Sequence, residues 1–252
     1  VFLVGDAAHI TPPFVGQGLV AGLRDVANLA WKLKWVLHFG AHADVLGSYD
    51  QERRPHARRM INLARFMGHM VMPSSRMAAI ALHGGMRLMR LLPKARRFFE
   101  ELGVKPANVF DRGLFFRNER HRELRSGAQL PQRVVRFPDG RLGLSDEAIG
   151  DALTLVGFGV DPCASLTAGS IQAWRQAGGQ FVQVGGRRPG QAGATCYIED
   201  VDGHLAAQAE QGWLVVCRPD CFILGMGPAR GAARLLHDAL DLLRLGGRGR
   251  GR

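Results

Sequence analysis

The stretch that most constrains this chain is its first 33 residues, where four local signals follow one another without a gap. Val1-Phe2-Leu3-Val4 is a short apolar run with β-branched residues, which predicts a buried strand. It breaks at Gly5-Asp6, and Thr11-Pro12-Pro13 then marks an irregular loop. After Gly16-Gln17-Gly18 the apolar positions Leu19, Leu23, Val26, Leu29, Ala30, Leu33 and Leu37 recur at helical spacing, up to a closing Gly40. An acid just past the end of a strand is placed to accept hydrogen bonds from a ligand hydroxyl. A helix that starts among glycines lets a flat or anionic group come close to its unpaired N–H groups and its positive dipole end. Such a site stabilises negative charge developing on a ligand.

The rest of the chain divides by pattern. A second helix is predicted over residues 45–70, with Pro55 as a possible kink. Residues 60–89 hold seven of the eight methionines, a composition that serves adaptable core packing, a malleable pocket wall or a subunit contact. A short helix is predicted over 94–102, followed by a charged connector over 105–132, with a domain boundary near Leu130-Pro131. Beyond it strands and helices alternate: strand 152–156, helix 169–176, strand 181–184, a hairpin of strands 213–217 and 222–225 joined by Arg218-Pro219-Asp220, and helix 229–245. That order is thioredoxin-like, so the fold class expected is α/β (α+β), with an incomplete N-terminal domain over 1–130 and a thioredoxin-like domain over 131–245. The glycine- and arginine-rich tail 246–252 reads as solvated and disordered.

Charge narrows the partners. Lys and Arg number 33 against 22 Asp and Glu, and only four of the cations are lysines (Lys32, Lys34, Lys94, Lys105). The arginines are spread over predicted helices, interleaved with acids, and no finger, homeodomain or RNP-like pattern accompanies them, which argues against nucleic acid. A net +11 instead suits attraction of anionic substrates or a phosphorylated cofactor. No stretch approaches the ~18 apolar residues of a membrane span, and four cysteines are too few for a disulfide scaffold, so the expected setting is cytoplasmic. Cys163, Cys196, Cys217 and Cys221 include no Cys-x-x-Cys pair, which leaves a thioredoxin-like domain a structural or dimerisation role.

Gly5-Asp6-Ala7-Ala8-His9, Pro12-Pro13, Gly16-Gln17-Gly18 and Arg24-Asp25 through Asn28-Leu29-Ala30-Trp31-Lys32-Leu33 together resemble the second flavin-binding motif of the FAD-dependent aromatic hydroxylases. These are the flavoprotein monooxygenases related to para-hydroxybenzoate and phenol hydroxylases, and within them the chain is most similar to the 3-(3-hydroxyphenyl)propionate hydroxylase branch. The resemblance continues through Tyr49 and Glu52-Arg53-Arg54-Pro55-His56-Ala57 and returns at Arg218-Pro219-Asp220. It implies that Asp6, after Gly5, holds the ribityl chain of FAD, that Pro13 lies beside the reactive edge of the isoalloxazine, and that backbone N–H groups from Gly16, Gln17, Gly18 and Leu19 face the pyrimidine edge. It also implies the chemistry: NAD(P)H reduces FAD, O₂ adds to form a C4a-hydroperoxyflavin, and oxygen passes to a phenolic, phenylpropionate-type substrate. A homodimer through the C-terminal domain fits the same resemblance.

The remaining candidates have plainer readings. His9 serves hydrogen bonding in the loop, Arg24 and Asp25 form a supporting pair, Trp31 and Trp35 pack one helix face, and Arg53-Arg54 with Arg58-Arg59 make a solvated surface. No Gly-x-Gly-x-x-Gly follows any strand; Gly157-Phe158-Gly159 fails because Pro162 occupies the third glycine position. In the family that fingerprint lies in the N-terminal half. The expectation is therefore the closing part of an FAD site in a fragment, a truncated product or one portion of a split protein. The alternative is an inactive flavoprotein remnant or assembly module.

Overall fold

The computed structural model describes residues 1–73, 75–89, 108–186, 195–205 and 212–244. Its contacts gather into two compact units that interleave along the chain: Val1–Ala27 with Arg53–Asn108, and Asn28–Glu52 with Val109–Arg252. The helix predicted over 94–102 and the tail 246–252 lie outside the described residues.

In the first unit, two short 3₁₀ turns, Gly5–Ala7 and Pro13–Val15, lead into helix α1, Gly18–His38. Residues 1–4 belong to none of the seven strands described below, which corrects the strand expected there. Val4 has extended dihedrals (φ −136°, ψ 150°), but Val1, Phe2 and Leu3 are exposed. An isolated apolar run of this length becomes a strand only when sheet neighbours supply a ladder. Helix α2, Ser48–Val71, runs unbroken through Pro55. Its buried positions Glu52, Arg53, His56, Ala57, Met60 and Ala64 fall at spacings of three and four, one face of the helix. Helix α3 covers Arg76–Met89. The methionines of this region divide: Met60 is buried, whereas Met72 and Met77 are exposed.

Helix α1 stops as its sequence suggested. Gly40 takes φ +70°, and the N–H groups of both Phe39 and Ala41 donate to the Trp35 carbonyl at 3.1 Å, a left-handed C-terminal cap. Which face of α1 is buried was not foreseen. Leu19, Leu23, Val26 and Leu37 are exposed, while Asp25, Asn28, Leu29, Lys32 and Trp35 are buried. The buried stripe follows the same 3–4 spacing, but much of it is polar.

The second unit is α/β. Strands β1 Val134–Arg136, β2 Leu142–Leu144, β3 Leu153–Phe158, β4 Gly179–Gly185, β5 Cys196–Asp200, β6 Trp213–Cys217 and β7 Ile223–Pro228 form one mixed sheet in the order β2-β1-β5-β4-β3-β6-β7. β3 pairs in parallel with β4, and β4 with β5; β6 pairs antiparallel with β3 and with β7. All six residues of β3 are buried, as expected of a central strand covered on both faces. Helix α4, Ser145–Ile149, precedes β3; α5, Ala168–Gln176, joins β3 to β4; and α6, Ala232–Arg244, follows β7. Leu153 and Leu155 pack with Trp174 of α5 and Leu235, Leu236 and Ala239 of α6, and the alternate residues Val156 and Phe158 pack on the other face with Ile149, Val182 and Ile198. Thr167 caps α5 by accepting from the Ser170 N–H at 3.2 Å. Glycine is required at 179, because a Cβ there would sit 2.4 Å from the Trp174 indole, whose Nε1–H donates to the Gln180 carbonyl at 3.0 Å. Strands β1, β2 and β5 and helix α4 were not anticipated.

Candidate functional site

The residues singled out from the sequence fall on two turns and one helix start, all in the first unit. Gly5 adopts φ +58°, and its carbonyl accepts from the N–H groups of Ala8 at 2.9 Å and His9 at 3.0 Å, so the chain turns sharply and leaves Asp6 exposed. Pro13 opens the second turn; the Gly16 N–H donates back to the Pro13 carbonyl at 3.0 Å, and Gly16 takes the left-handed conformation at φ +62°. The first intrahelical bond of α1 runs from the Ala21 N–H to the Gln17 carbonyl at 2.9 Å. The N–H groups of Gly18, Leu19 and Val20 therefore lie ahead of the helical ladder. Gln17 Oε1 is buried with no hydrogen-bond partner among the described residues. Glycine keeps these pieces close: a Cβ on Gly22 would stand 3.3 Å from the Gly5 Cα, and one on Gly18 would stand 4.0 Å from the Thr11 side chain. Together these elements present an exposed carboxylate, a glycine-flanked helix N-terminus and an unsatisfied amide oxygen.

Asp25, at 1% exposure, is the hub beneath that surface. It accepts from the Gly5 N–H at 3.1 Å, from His9 Nε2 at 2.8 Å and from Arg53 Nε at 2.8 Å. Arg53 is thereby buried, not solvated as expected, while Arg54 and Arg58 are exposed. Nor do Arg24 and Asp25 make the expected pair, since adjacent helical residues point about 100° apart. His56 is 1% exposed and neither ring nitrogen has a partner among the described residues. Burial and the guanidinium groups of Arg53, Arg24 and Arg59 push its imidazole down to about 4, against a weaker opposite pull from Asp25.

This imidazole sets an acid limit for the first unit. A folded-state value near 4 lies below the free value of 6.5, so the unfolded chain binds the extra proton first. Stability from this group is complete above pH 6.5 and is lost as the pH falls from 6.5 to 4, by up to about 3 kcal/mol at ~1.4 kcal/mol per unit. Urea titrations at pH 7, 5.5 and 4.5 should show the loss, and His56→Leu should flatten the profile. A wild-type profile that is already flat would show that His56 does not become protonated on unfolding.

A second buried polar cluster lies in the other unit, and the sequence reading did not assemble it. Arg218, Lys32, Glu52 and Asn28 are all at 2% exposure or below. Arg218 grips Glu52 bidentately, Nη1 to Oε1 at 2.8 Å and Nη2 to Oε2 at 2.9 Å, and its Nε donates to Asp220 Oδ1 at 2.9 Å. Lys32 Nζ donates to Glu52 Oε2 at 2.9 Å and to Asn28 Oδ1 at 2.8 Å, and Asn28 Nδ2 donates to Glu52 Oε2 at 2.6 Å. The Leu114 N–H completes Glu52 at 2.7 Å. Glycine is needed at 113, where φ is +145° and a Cβ would fall 2.3 Å from Glu52 Cγ. The rings of Trp31, Phe222 and Phe110 surround the guanidinium with centroids 5.2, 5.4 and 5.6 Å from it.

Two cations face two carboxylates here, so the cluster is neutral overall. Burial pushes the Glu52 carboxyl up, but Arg218 and Lys32 outweigh it and hold it at about 2. Burial lowers the Lys32 ammonium to about 8, only partly opposed by Glu52. The Arg218 guanidinium is raised, because Asp220 and Glu52 outweigh its burial. Sealed from solvent and internally satisfied, the cluster fixes the Asn28–Glu52 segment to the β6–β7 link. Among the cysteines, Cys217 is buried and hydrogen-bonds Cys221, which together with burial raises its thiol.

Residues 1–64 match the FAD binding domain family, and residues 127–242 match the HcaD C-terminal domain family. The chain is 36% identical over 244 residues to 3-(3-hydroxy-phenyl)propionate/3-hydroxycinnamic acid hydroxylase 2 of Burkholderia vietnamiensis, covering 92% of this chain and 44% of that protein. It is 32% identical over 252 residues to the corresponding hydroxylase of Escherichia coli, covering 97% and 46%. It thus spans less than half the length of these relatives. Among solved structures it is similar to the flavin-dependent monooxygenase PieE in complex with FAD and substrate, with a TM-score of 0.71 at 22% identity over 96% of this chain and 47% of that one. It is also similar to the anhydrotetracycline hydroxylase OxyS from Streptomyces rimosus, with a TM-score of 0.63 at 22% identity over 97% and 44%. At these identities the structural likeness shows a shared fold. Among the described residues no helix is long and apolar enough to cross a membrane.

Proposed function

Because the chain belongs to the FAD-dependent aromatic hydroxylases, as a C-terminal portion of one, we propose that it forms the closing part of an FAD site in an NAD(P)H-using monooxygenase acting on a phenylpropionate-type phenol. The observation that carries this reading is the start of α1: N–H groups ahead of the helical ladder, beside the buried, unpartnered Gln17 Oε1, with exposed Asp6 on the neighbouring turn. Those groups suit the ring and ribityl part of FAD. Asp6 would accept hydrogen bonds from the ribityl hydroxyls, Gly5 shapes the turn that presents it, and Pro13 would border the reactive face. The backbone of Gly16, Gln17, Gly18 and Leu19 faces the electron-rich pyrimidine edge, where the positive helix end favours negative charge. When bound, FAD supplies the redox chemistry, taking hydride from NAD(P)H and activating O₂ toward the phenol. The protein's part is position, exclusion of water and electrostatics.

The C-terminal domain, proposed over residues 131–245 after a flavoprotein portion over 1–130, is read as thioredoxin-like. Support comes from the strand order β4-β3-β6-β7, with β3 and β4 parallel, β6 antiparallel to β3, and α5 and α6 packed on one face. Without a Cys-x-x-Cys pair its role is structural, as a homodimer contact in a cytoplasmic enzyme.

Titrating FAD into the 252-residue chain and following flavin fluorescence tests the reading. Saturable quenching is expected, and Asp6→Ala should weaken it by about 1–3 kcal/mol, the cost of removing a charged acceptor. Equal affinity in the variant would remove Asp6 from the site. NAD(P)H oxidation by this chain alone would dispose of the assembly-module alternative.

A further inference from the structure

We infer that one face of α1, carried by Gly22 and Asp25, is the positioning element for the flavin-facing Gly5–Asp6 turn, with Asp25 as the positioning residue; this rests on the flavin reading above. Asp6 itself is exposed and held only by the geometry of its turn. That turn meets α1 at two points one helical turn apart. At the first, Gly22 lets the backbones approach until a Cβ would be 3.3 Å from the Gly5 Cα. At the second, Asp25 Oδ2 accepts the Gly5 N–H at 3.1 Å and His9 Nε2 at 2.8 Å, so one carboxylate oxygen ties both ends of the Gly5–His9 segment. The other oxygen is fixed by Arg53 Nε at 2.8 Å, and Arg53 Nη2 reaches the Ala21 carbonyl at 3.4 Å, which locks the carboxylate rotamer from α2.

The arrangement also assigns the His9 tautomer. An ionised carboxylate only accepts, so Nε2 carries the hydrogen, while Nδ1 is buried without a partner among the described residues. The fixed helix that offers its N-terminal N–H groups to the ring therefore also sets the height and angle of the carboxylate that holds the ribityl chain.

Two variants test this in the full chain. Asp25→Asn keeps size but replaces one acceptor by a donor, so the amide oxygen can serve either the Gly5 N–H and His9 Nε2 or Arg53 Nε, and the other contact becomes donor against donor. Gly22→Ala leaves the carboxylate intact and pushes on Gly5 from the other contact, while favouring helix. The measurements are FAD affinity by flavin fluorescence, the His9 tautomer by imidazole ¹⁵N chemical shifts, and helix content by circular dichroism. Expected are an Nε2–H tautomer in the wild type, and at least tenfold weaker FAD binding in both variants with helix content retained. If Asp25→Asn does not fold, Gly22→Ala decides alone. Wild-type FAD affinity in the folded variants, or an Nδ1–H tautomer in the wild type, overturns the positioning role while the flavin reading stands. Absence of FAD binding by the wild type overturns both.

Discussion

Arg218→Ala is expected to destabilise the second unit by about 3–5 kcal/mol, because it leaves Glu52 and Asp220 buried with only Lys32 as counter-charge. The size of the loss follows from what is left behind. Glu52 is 1% exposed, and two of its hydrogen bonds come from Arg218; the Arg218 guanidinium also reaches the Leu114 carbonyl at 3.2 Å. Removing it takes two donors from Glu52, two from Asp220 at the β6–β7 link and one from the Leu114 carbonyl at once. Arg218→Lys should recover little, since an ammonium cannot make the bidentate pair and reach Asp220 together. Replacing the charges as a set, Arg218→Met and Lys32→Met with Glu52→Gln and Asp220→Asn, should cost much less than the single change, because a buried ion pair is weak evidence of net stability whereas a broken one is strongly destabilising. Urea denaturation followed by tryptophan fluorescence reads this unit directly, since Trp31, Trp35, Trp174 and Trp213 all belong to it. A loss below about 1 kcal/mol for Arg218→Ala would mean that water reaches the cluster and screens it.

The contrast between this cluster and the sheet shows where sequence reasoning reaches. Strands β3, β4, β6 and β7 and helices α5 and α6 were legible because their apolar content is continuous or periodic within five to a dozen residues, and the Arg218-Pro219-Asp220 link announced a hairpin. Strands β1 and β2 are three residues each and β5 carries Glu199 and Asp200, so no periodicity rises above the background. The glycine-flanked start of α1 and its end at Gly40 were legible from local backbone requirements. Its buried face was not: Asp25, Asn28 and Lys32 look like the wet side of an amphipathic helix until their partners are known. Those partners lie far off in sequence, Arg53 for Asp25, Glu52 for Asn28 and Lys32, and Arg218 for Glu52. A signal did exist, since three polar residues at spacings of three and four match the period of a core stripe, and Gly113 marks a backbone squeezed against a side chain. Neither names the partner. The residues proposed to face the flavin come from the motif and its resemblance, whereas the carboxylate beneath them emerged only from geometry.

Trp35→Ala should cost the second unit about 3–5 kcal/mol, the range for deleting a fully buried indole. Trp35 is 1% exposed near the C-terminal end of α1. It stands edge-on to Trp31 with centroids 5.9 Å apart, lies at 33° to Phe39 at 4.8 Å, and donates from Nε1 to the Ala177 carbonyl at 2.9 Å, just past the end of α5. It also lines a cleft of about 190 Å³ with Phe39, Ala41, Ala177 and Leu243, so truncation enlarges a space that already exists and leaves the neighbours little reason to close it. Trp35→Phe separates the contributions. It keeps most of the ring contacts but leaves the Ala177 carbonyl without its donor, for an expected loss of about 1–3 kcal/mol, the cost of an unsatisfied buried acceptor. If the two substitutions cost the same, the hydrogen bond dominates; if phenylalanine is neutral, packing does. A loss under about 1 kcal/mol for alanine would show that the end of α1 is not anchored against α5 in solution.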